Sequence, residues 1–379
     1  MRWSGRIFTS RLTDPFLNLS IEHYLFKNLP VDSTRLFLYI NDPCVVVGRN
    51  QNPWRECNVP LLNSLKVPLV RRRSGGGTVV HDRGNVNFSF MVPRSSFARD
   101  THALLVIDAM NKTSDPVAVT VPNAYDESDL GELSGLDVAP PGTPFEMSDS
   151  LSTGDGTIVS VPGPQVKLKL NSRFDIVTKE PIEKKVSGSA FKIERQRAYH
   201  HGTMLLNSRL DVLSSLLHRD VSRLGIVKGS GVESVKSPVA NIGCDPRAFE
   251  QAVVDEFRQV YECEDEPLEV IDSTTTLPDE VLESANEMQT WDWAYGSTPK
   301  FTHTFTHPEL DISVQFSVNK GVITDVTGLG QGELVGCRYN GQDIVSRLAD
   351  KDQHLGSWIV QSLDGLSPDP FPFSNPVHI

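Results

Sequence analysis

Apolar residues recur at i, i+4, i+7 and i+8 through Leu17, Ile21, Tyr24 and Leu25, the spacing that lays one stripe along a helix. Asp14-Pro15 precedes them as a cap followed by a proline whose fixed φ and missing N–H suit a first helical turn, so a helix is predicted to about Leu29. The period then shortens. Two apolar runs, 36–40 and 44–48, flank the turn signal Asn41-Asp42-Pro43 and predict a pair of strands. A third run, 67–72, enters Ser74-Gly75-Gly76-Gly77, and beyond it Val86, Phe88, Phe90 and Val92 alternate with Asn87, Ser89 and Met91. Val166, Leu168 and Leu170 alternate with lysines, and 174–177 reads as a further strand. Helices are expected over about 210–217 and behind Asp245-Pro246, where Phe249, Val253, Phe257 and Val260 share a face. Asn319-Lys320-Gly321 joins 312–318 to 322–326 as a hairpin. Sheet with helices packed on it, an α/β (α+β) fold, is the natural outcome.

At 379 residues the chain exceeds what one hydrophobic core usually organises. The expected division is a larger domain over 1–262 and a smaller α+β accessory domain over 268–379, with the acidic, proline-containing stretch 262–267 as the joint. Within the larger part, 122–165 is rich in Pro, Gly, Ser and acids without periodicity, and reads as an insertion. The net charge of −12 is concentrated there: between Thr113 and Val166 nine acidic residues stand without a Lys or Arg, which leaves −3 for the rest. Acidity therefore says nothing about the substrate, and general nucleic-acid binding, which needs a basic footprint, is disfavoured. No apolar run approaches the ~20 residues of a membrane-spanning helix, so neither nucleic acid nor membrane is expected as a partner. Cys44, Cys57, Cys244, Cys263 and Cys337 are scattered and never fall in a CxxC spacing, which argues for a reducing compartment and against a structural zinc site. The N-terminus lacks the apolar core of a secretory signal, and Asp14 with its helix follows Arg2, Arg6 and Arg11 too soon for an import sequence.

The densest chemical signal is Arg71-Arg72-Arg73-Ser74-Gly75-Gly76-Gly77-Thr78-Val79-Val80-His81-Asp82. Glycines without Cβ let backbone N–H groups close on an oxyanion, and guanidiniums supply charge and fork-shaped hydrogen bonding. Three glycines alone would be a turn; a triple arginine before them turns the reading to an anion cradle. It is neither the GxxxxGK nor the GxGxxG nucleotide motif. A second signal, Lys184-Lys185-Val186-Ser187-Gly188-Ser189-Ala190-Phe191, sets a lysine beside small residues, where its ammonium can face a carboxylate and a phosphate together. By the residues alone it could equally be an exposed strand end. In Tyr199-His200-His201-Gly202-Thr203 adjacent residues face opposite sides of a strand, so the two imidazoles are not expected to grip one metal; one is expected to be structural and the other to border the pocket.

The strings NPWRECN (52–58), RRRSGGGTVVHDRGNVNFSF (71–90), KKVSGSAF (184–191), HHGTMLLN (200–207), SVKSPVANI (234–242) and WDWAYGSTPKF (291–301) resemble the lipoate-protein ligase A family over nearly the whole chain. The resemblance implies a fold shared with biotin-protein ligases, a large mixed-sheet domain followed by a small accessory domain. It implies activation of lipoate with ATP and Mg²⁺ to lipoyl-AMP and pyrophosphate. The lipoyl group then passes to a lysine of apo lipoyl domains of 2-oxoacid dehydrogenase E2 subunits or of glycine-cleavage H protein. Carried onto this sequence, the nucleotide falls to Arg72 and to Gly75, Gly76, Gly77, Thr78, Val79 and Val80. Lys185 takes the catalytic place between lipoyl carbonyl and adenylate phosphate, Ser189 and Ala190 lie by the lipoyl chain, and Asp175 and His81 are supporting residues. No protein-held metal site is expected. Val45 to Val47 and the Phe88/Phe90 face are expected to line an apolar slot for the lipoyl tail.

Where the family commonly reads Asn-Asp-Leu before the motif lysine, this chain has Phe174-Asp175-Ile176, keeping the acid and losing the amide. The alternatives to a full ligase are a lipoyl or octanoyl transferase using preformed acyl-AMP, acyl-CoA or acylated H protein, and a non-catalytic binder of acyl-nucleotide or lipoyl domains. A mitochondrial location is expected, because such acceptors sit there in eukaryotes and the insertion looks eukaryotic; for a bacterial source it would be the cytoplasm.

Overall fold

The computed structural model describes residues 5–28, 30–121, 157–179, 181–307, 312–328, 334–348 and 353–365. Its largest element is a six-stranded mixed sheet ordered Ser189–Glu194, Arg197–Leu205, Asn85–Pro93, Thr34–Ile40, Gly5–Ser10, Leu268–Ile271. Gly5–Ser10 pairs parallel with both neighbours and the remaining pairs are antiparallel. Side-chain alternation gives the sheet two buried faces. On one, Phe88 and Phe90 pack with Val106 and Met110 of helix Thr101–Lys112 and with Phe249, Val253 and Phe257 of helix Pro246–Tyr261. On the other, Phe37, Tyr39, Met91 and Tyr199 meet Leu19, Ile21, Leu25 and Phe26 of helix Pro15–Asn28.

That helix starts as its sequence dictates: the Asp14 carboxylate accepts the Phe16 and Leu17 amides at 2.7 and 2.9 Å. It buries more than one stripe: Ser20 meets Ser284 and Met288 of helix Asp279–Gln289 on one side, while Asn18 and Glu22 face Asn41 and His201 on the other. The runs around 36–40 and 44–48 do not pair with each other. Thr34–Ile40 stays in the large sheet, while Cys44–Val47 forms a separate three-stranded sheet, parallel to Leu69–Arg71 and antiparallel to Val79–His81. The turn between them is pinned from outside rather than closed on itself. The Asp42 amide donates to Thr13 O at 2.8 Å, and the buried Asn41 side chain bridges Asn18 and His81.

The stretch 262–267 is a turn between two elements of the same body. Helix Pro246–Tyr261 and strand Leu268–Ile271 both join the six-stranded sheet, with Glu262 at φ 52 closing the helix. The chain reaches the other body only after 289, through Asp292–Gly296. There Phe301–Thr306, Ser313–Asn319 and Val322–Thr327 make an antiparallel sheet whose edge strand, Ile226–Gly229, comes from mid-chain. Lys320 and Gly321 turn its hairpin with φ of 49 and 71, as an Asn-Lys-Gly connection should. The insertion expected at 122–165 lies outside the described residues from 122 to 156; Thr157–Val161 pairs antiparallel with Val117–Val121. Among the described residues no helix is long and apolar enough to cross a membrane.

Candidate active site

The two chemical segments meet in one cavity. Its volume is about 360 Å³, and its wall includes Arg72, Gly76, Gly77, Thr78, Val79 and His81 from the first segment. Lys185, Gly188, Ser189 and Ala190 from the second face them, and Asp175, Arg173 and the stretch Val232–Val235 complete the mouth.

Strand alternation decides what becomes of the three arginines. Only Arg72 points into the cavity. Arg71 is fully buried, donating to Gly48 O, Arg49 O, Gln51 O, Ala294 O and Thr298 Oγ1 at 2.8 to 3.2 Å. Arg73 stacks on Trp293 at 4.5 Å and pairs with Glu287 at 2.6 Å. Arg72 does not hold out a free fork either. Its Nη2 donates to Gly75 O at 2.6 Å and Gly77 O at 2.7 Å, Nε to Ser74 Oγ at 3.0 Å, and Nη1 to Val46 O at 3.2 Å. The guanidinium braces the glycine turn from inside, and burial pulls its pKa down to about 10, which leaves it charged at neutral pH. Because C=O and N–H point oppositely across a peptide plane, drawing the Gly77 carbonyl toward Arg72 turns the Thr78 amide the other way, where it donates to Ser234 Oγ at 2.9 Å. Gly76 sits at φ +87, and a Cβ there would stand 3.0 Å from Arg72 Nη2 and 3.1 Å from Ala190 Cβ, so the tight turn requires glycine.

Lys185 is anchored by backbone on both sides: its amide donates to Pro238 O at 2.8 Å and its carbonyl accepts from Ala240 N at 3.0 Å. Its ammonium meets Asp175 at 2.6 Å, and Asp175 also lies 3.3 Å from Arg173. Asp175 is presented by a hairpin turn in which Asn171 Oδ1 accepts the Arg173 and Asp175 amides. Phe174 in that turn has φ 63. A side chain with Cβ is strained there, and among such residues asparagine tolerates it best. Phe174→Asn is therefore expected to raise stability by about 1 kcal/mol. Urea denaturation checks it; a lowered midpoint would show that the phenyl ring contributes more than the backbone loses.

Other expectations are redistributed. Gly75 and Val80 are not in the wall: Gly75 lies on the open side of the turn, and Val80, one strand position from Val79, packs into the core beneath the three-stranded sheet. Of the slot expected from Val45 to Val47 and Phe88/Phe90, only Val46 faces the cavity. Val45 and Val47 face the opposite core, and Phe88 and Phe90 lie on the far face of the large sheet. The wall there is Leu19, Tyr39, Val46, Val79 and Asn87. His201 borders the cavity, while His200 is buried on the other face, against Phe191 at 4.6 Å and bonded to Ser189 Oγ at 3.0 Å. Burial, with Arg72 and His201 nearby, pushes His81 down to about 3, so at neutral pH it is an uncharged partner of Asn41 rather than an anion-binding cation.

The sequence profile of the lipoyl protein ligase A/B catalytic domain matches residues 14–262, about two thirds of the chain. This chain belongs to that ligase family. A Saccharomyces cerevisiae relative, whose name places it with lipoate-protein ligase A, is 32% identical over 88% of this chain and 69% of its own length. The lipoate-protein ligase A of Psychrobacter cryohalolentis is 28% identical over 95% of this chain and 99% of its own. The crystal structure of P. falciparum LipL1 in complex with lipoate superposes with a TM-score of 0.54 at 22% identity, covering 94% of this chain and all of that one. The last likeness is one of fold, and agrees with the mixed α/β architecture described above.

The resemblance string that begins at Ser234 reached only half of a strap, Val232 to Val235, and gave it no place at the site. It is clamped across the mouth by the 51–56 segment: Arg55 Nη2 donates to Gly231 O and Val232 O at 2.6 and 3.0 Å, Gln51 Nε2 to Ser234 Oγ at 3.0 Å, and the Ser234 amide to Glu56 at 3.1 Å. No local pattern marks it, since Val232 and Val235 are exposed and lack periodicity.

Proposed function

We propose that this protein activates lipoate with ATP to lipoyl-AMP and transfers the lipoyl group to a lysine of lipoyl domains of 2-oxoacid dehydrogenase E2 subunits or of the glycine-cleavage H protein. The observation that carries the reading is that Lys185 and the Arg72-braced glycine turn open onto the same cavity. The names of the relatives support it, as does the lipoate complex of the fold neighbour.

A carboxylate is a poor electrophile; its oxygen bonds to the α-phosphorus of ATP as the bond to the β-phosphate breaks and pyrophosphate leaves, which makes a mixed anhydride whose leaving group in the second step is AMP. The two anions must first approach each other. The glycine turn, held by Arg72, offers its N–H groups to the phosphate, and the Thr78 amide joins them by exchanging Ser234 Oγ for a phosphate oxygen. The Lys185 ammonium exchanges Asp175 for the incoming oxygens, and Asp175 keeps Arg173 as a partner. Mg²⁺ usually keeps several waters and takes one or two carboxylates beside substrate phosphates; Asp175 and Glu233 are the carboxylates in the wall. It would neutralise phosphate charge. In the second step the acceptor amine attacks the carbonyl, so no protein nucleophile is needed. Lipoate, MgATP and an apo lipoyl domain are expected to give a lipoylated acceptor, read as a mass increase on one lysine. Acylation from synthetic lipoyl-AMP but never from lipoate and ATP would refute the ligase reading in favour of a transferase.

A further inference from the structure

Beneath the cavity floor, side chains from three segments form one continuous hydrogen-bonded chain. Both carboxylate oxygens of Glu22, on helix Pro15–Asn28, lie 2.9 and 3.0 Å from His201 Nδ1. His201 Nε2 is 2.7 Å from Ser74 Oγ, and Ser74 Oγ accepts Arg72 Nε at 3.0 Å. All four residues are buried: Glu22 3% exposed, His201 7%, Ser74 1% and Arg72 4%. A carboxylate removed from water this far costs stability, and an apolar side chain would serve the packing as well. Leu19, Ile21, Leu25 and Phe26 on the same helix show that apolar residues fit.

An acid, an imidazole and a serine in series also describe an activated nucleophile. Ser74 cannot serve as one here, because its hydroxyl is outside the cavity wall and already holds Arg72. The proton order points elsewhere. His201 Nδ1 faces the Glu22 carboxylate, so an Nδ1–H donated there leaves Nε2 to accept the Ser74 hydroxyl. Ser74 then presents a lone pair to Arg72 Nε. With that edge fixed, Nη2 reaches the Gly75 and Gly77 carbonyls together. Remove the charge and the imidazole loses its preferred tautomer; Nε2–H then competes with Arg72 for the same oxygen.

We infer that Glu22 is a positioning residue for nucleotide binding, setting the glycine turn through His201, Ser74 and Arg72. The inference rests on the adenylation reading above. Glu22→Gln is nearly isosteric, and Ser74→Ala breaks the chain at its other end. Pyrophosphate release gives KM for ATP and for lipoate separately, with the melting temperature taken alongside. In each variant KM for ATP is expected to rise about tenfold to a hundredfold, the effect of a lost hydrogen bond to a charged group, with a clearly smaller rise in KM for lipoate, since His201 also borders the cavity. In an Arg72→Lys background Glu22→Gln is expected to add nothing. A merely structural role would lower the active fraction and leave both KM values alone; that result, equal rises in both, or full additivity with Arg72→Lys overturns the inference. Calorimetric titration of ATP onto the same proteins separates the two claims. An unchanged Kd in Glu22→Gln refutes the positioning role, whereas a weakened Kd in a protein whose wild type never releases pyrophosphate retains it and refutes adenylation.

Discussion

Lys185→Ala is expected to slow adenylate formation by about a hundredfold to a thousandfold, the usual cost of deleting one preorganised charge-stabilising donor. Among the described residues the ammonium is, with Arg173, a cation of the cavity wall that can change partners: Arg72 spends its donors on the glycine turn, Arg71 on buried carbonyls and Arg73 on Glu287 and Trp293. Folding should survive. The backbone at 185 is held by Pro238 and Ala240 whatever its side chain, and Asp175 retains Arg173 at 3.3 Å, so no buried carboxylate is stranded. Lys185→Arg should not rescue, because a planar fork cannot occupy the place of a compact ammonium. Single-turnover rates with lipoate and ATP, beside thermal melts, are the check. An undiminished rate in a folded Lys185→Ala protein would remove the lysine from the chemistry.

Arg71→Ala is expected to destabilise the protein by on the order of 3–5 kcal/mol, since several buried carbonyls would lose their charged donor at once. Those acceptors belong to both bodies: Gly48, Arg49 and Gln51 beside the glycine turn, and Ala294 and Thr298 on the segment leading to the four-stranded sheet. Trp293 closes the same junction by donating from Nε1 to Arg71 O at 2.8 Å. The glycine turn leans on this frame, for a Cβ on Gly48 would stand 2.2 Å from Gly76 O. Arg71→Ala should therefore lower the urea midpoint and weaken ATP binding together. A shift below 1 kcal/mol would mean that water replaces the guanidinium without penalty.

The contrast between these neighbours shows what local sequence carries. The triple arginine and triple glycine marked the place of the site, but period-2 geometry, which no motif states, gave one arginine to the cavity and buried another as a joint. Asp14-Pro15 and Asn319-Lys320-Gly321 were readable because caps and hairpin turns are settled by residues adjacent in sequence. The pairing of Cys44–Val47 was not, because it depends on Thr13, Asn18 and His81 reaching the turn from elsewhere. The same holds for Leu268–Ile271, whose partner is the first strand of the chain. The slot failed for a simpler reason. Phe88 and Phe90 are the more apolar face of their strand, and that face belongs to the core; the cavity takes the polar alternate, Asn87. Phe174 looked like the start of a strand and is a strained turn residue, a fact carried by φ rather than hydropathy.

Exchange of labelled pyrophosphate into ATP isolates the half-reaction on which everything else depends, without any acceptor protein. Two anions joining in the cavity shared by Lys185 and the glycine turn predict exchange that requires lipoate and Mg²⁺ and slows by about a hundredfold or more in Lys185→Ala. Exchange that proceeds without lipoate, or none at all with ATP, Mg²⁺ and lipoate present, would contradict the account.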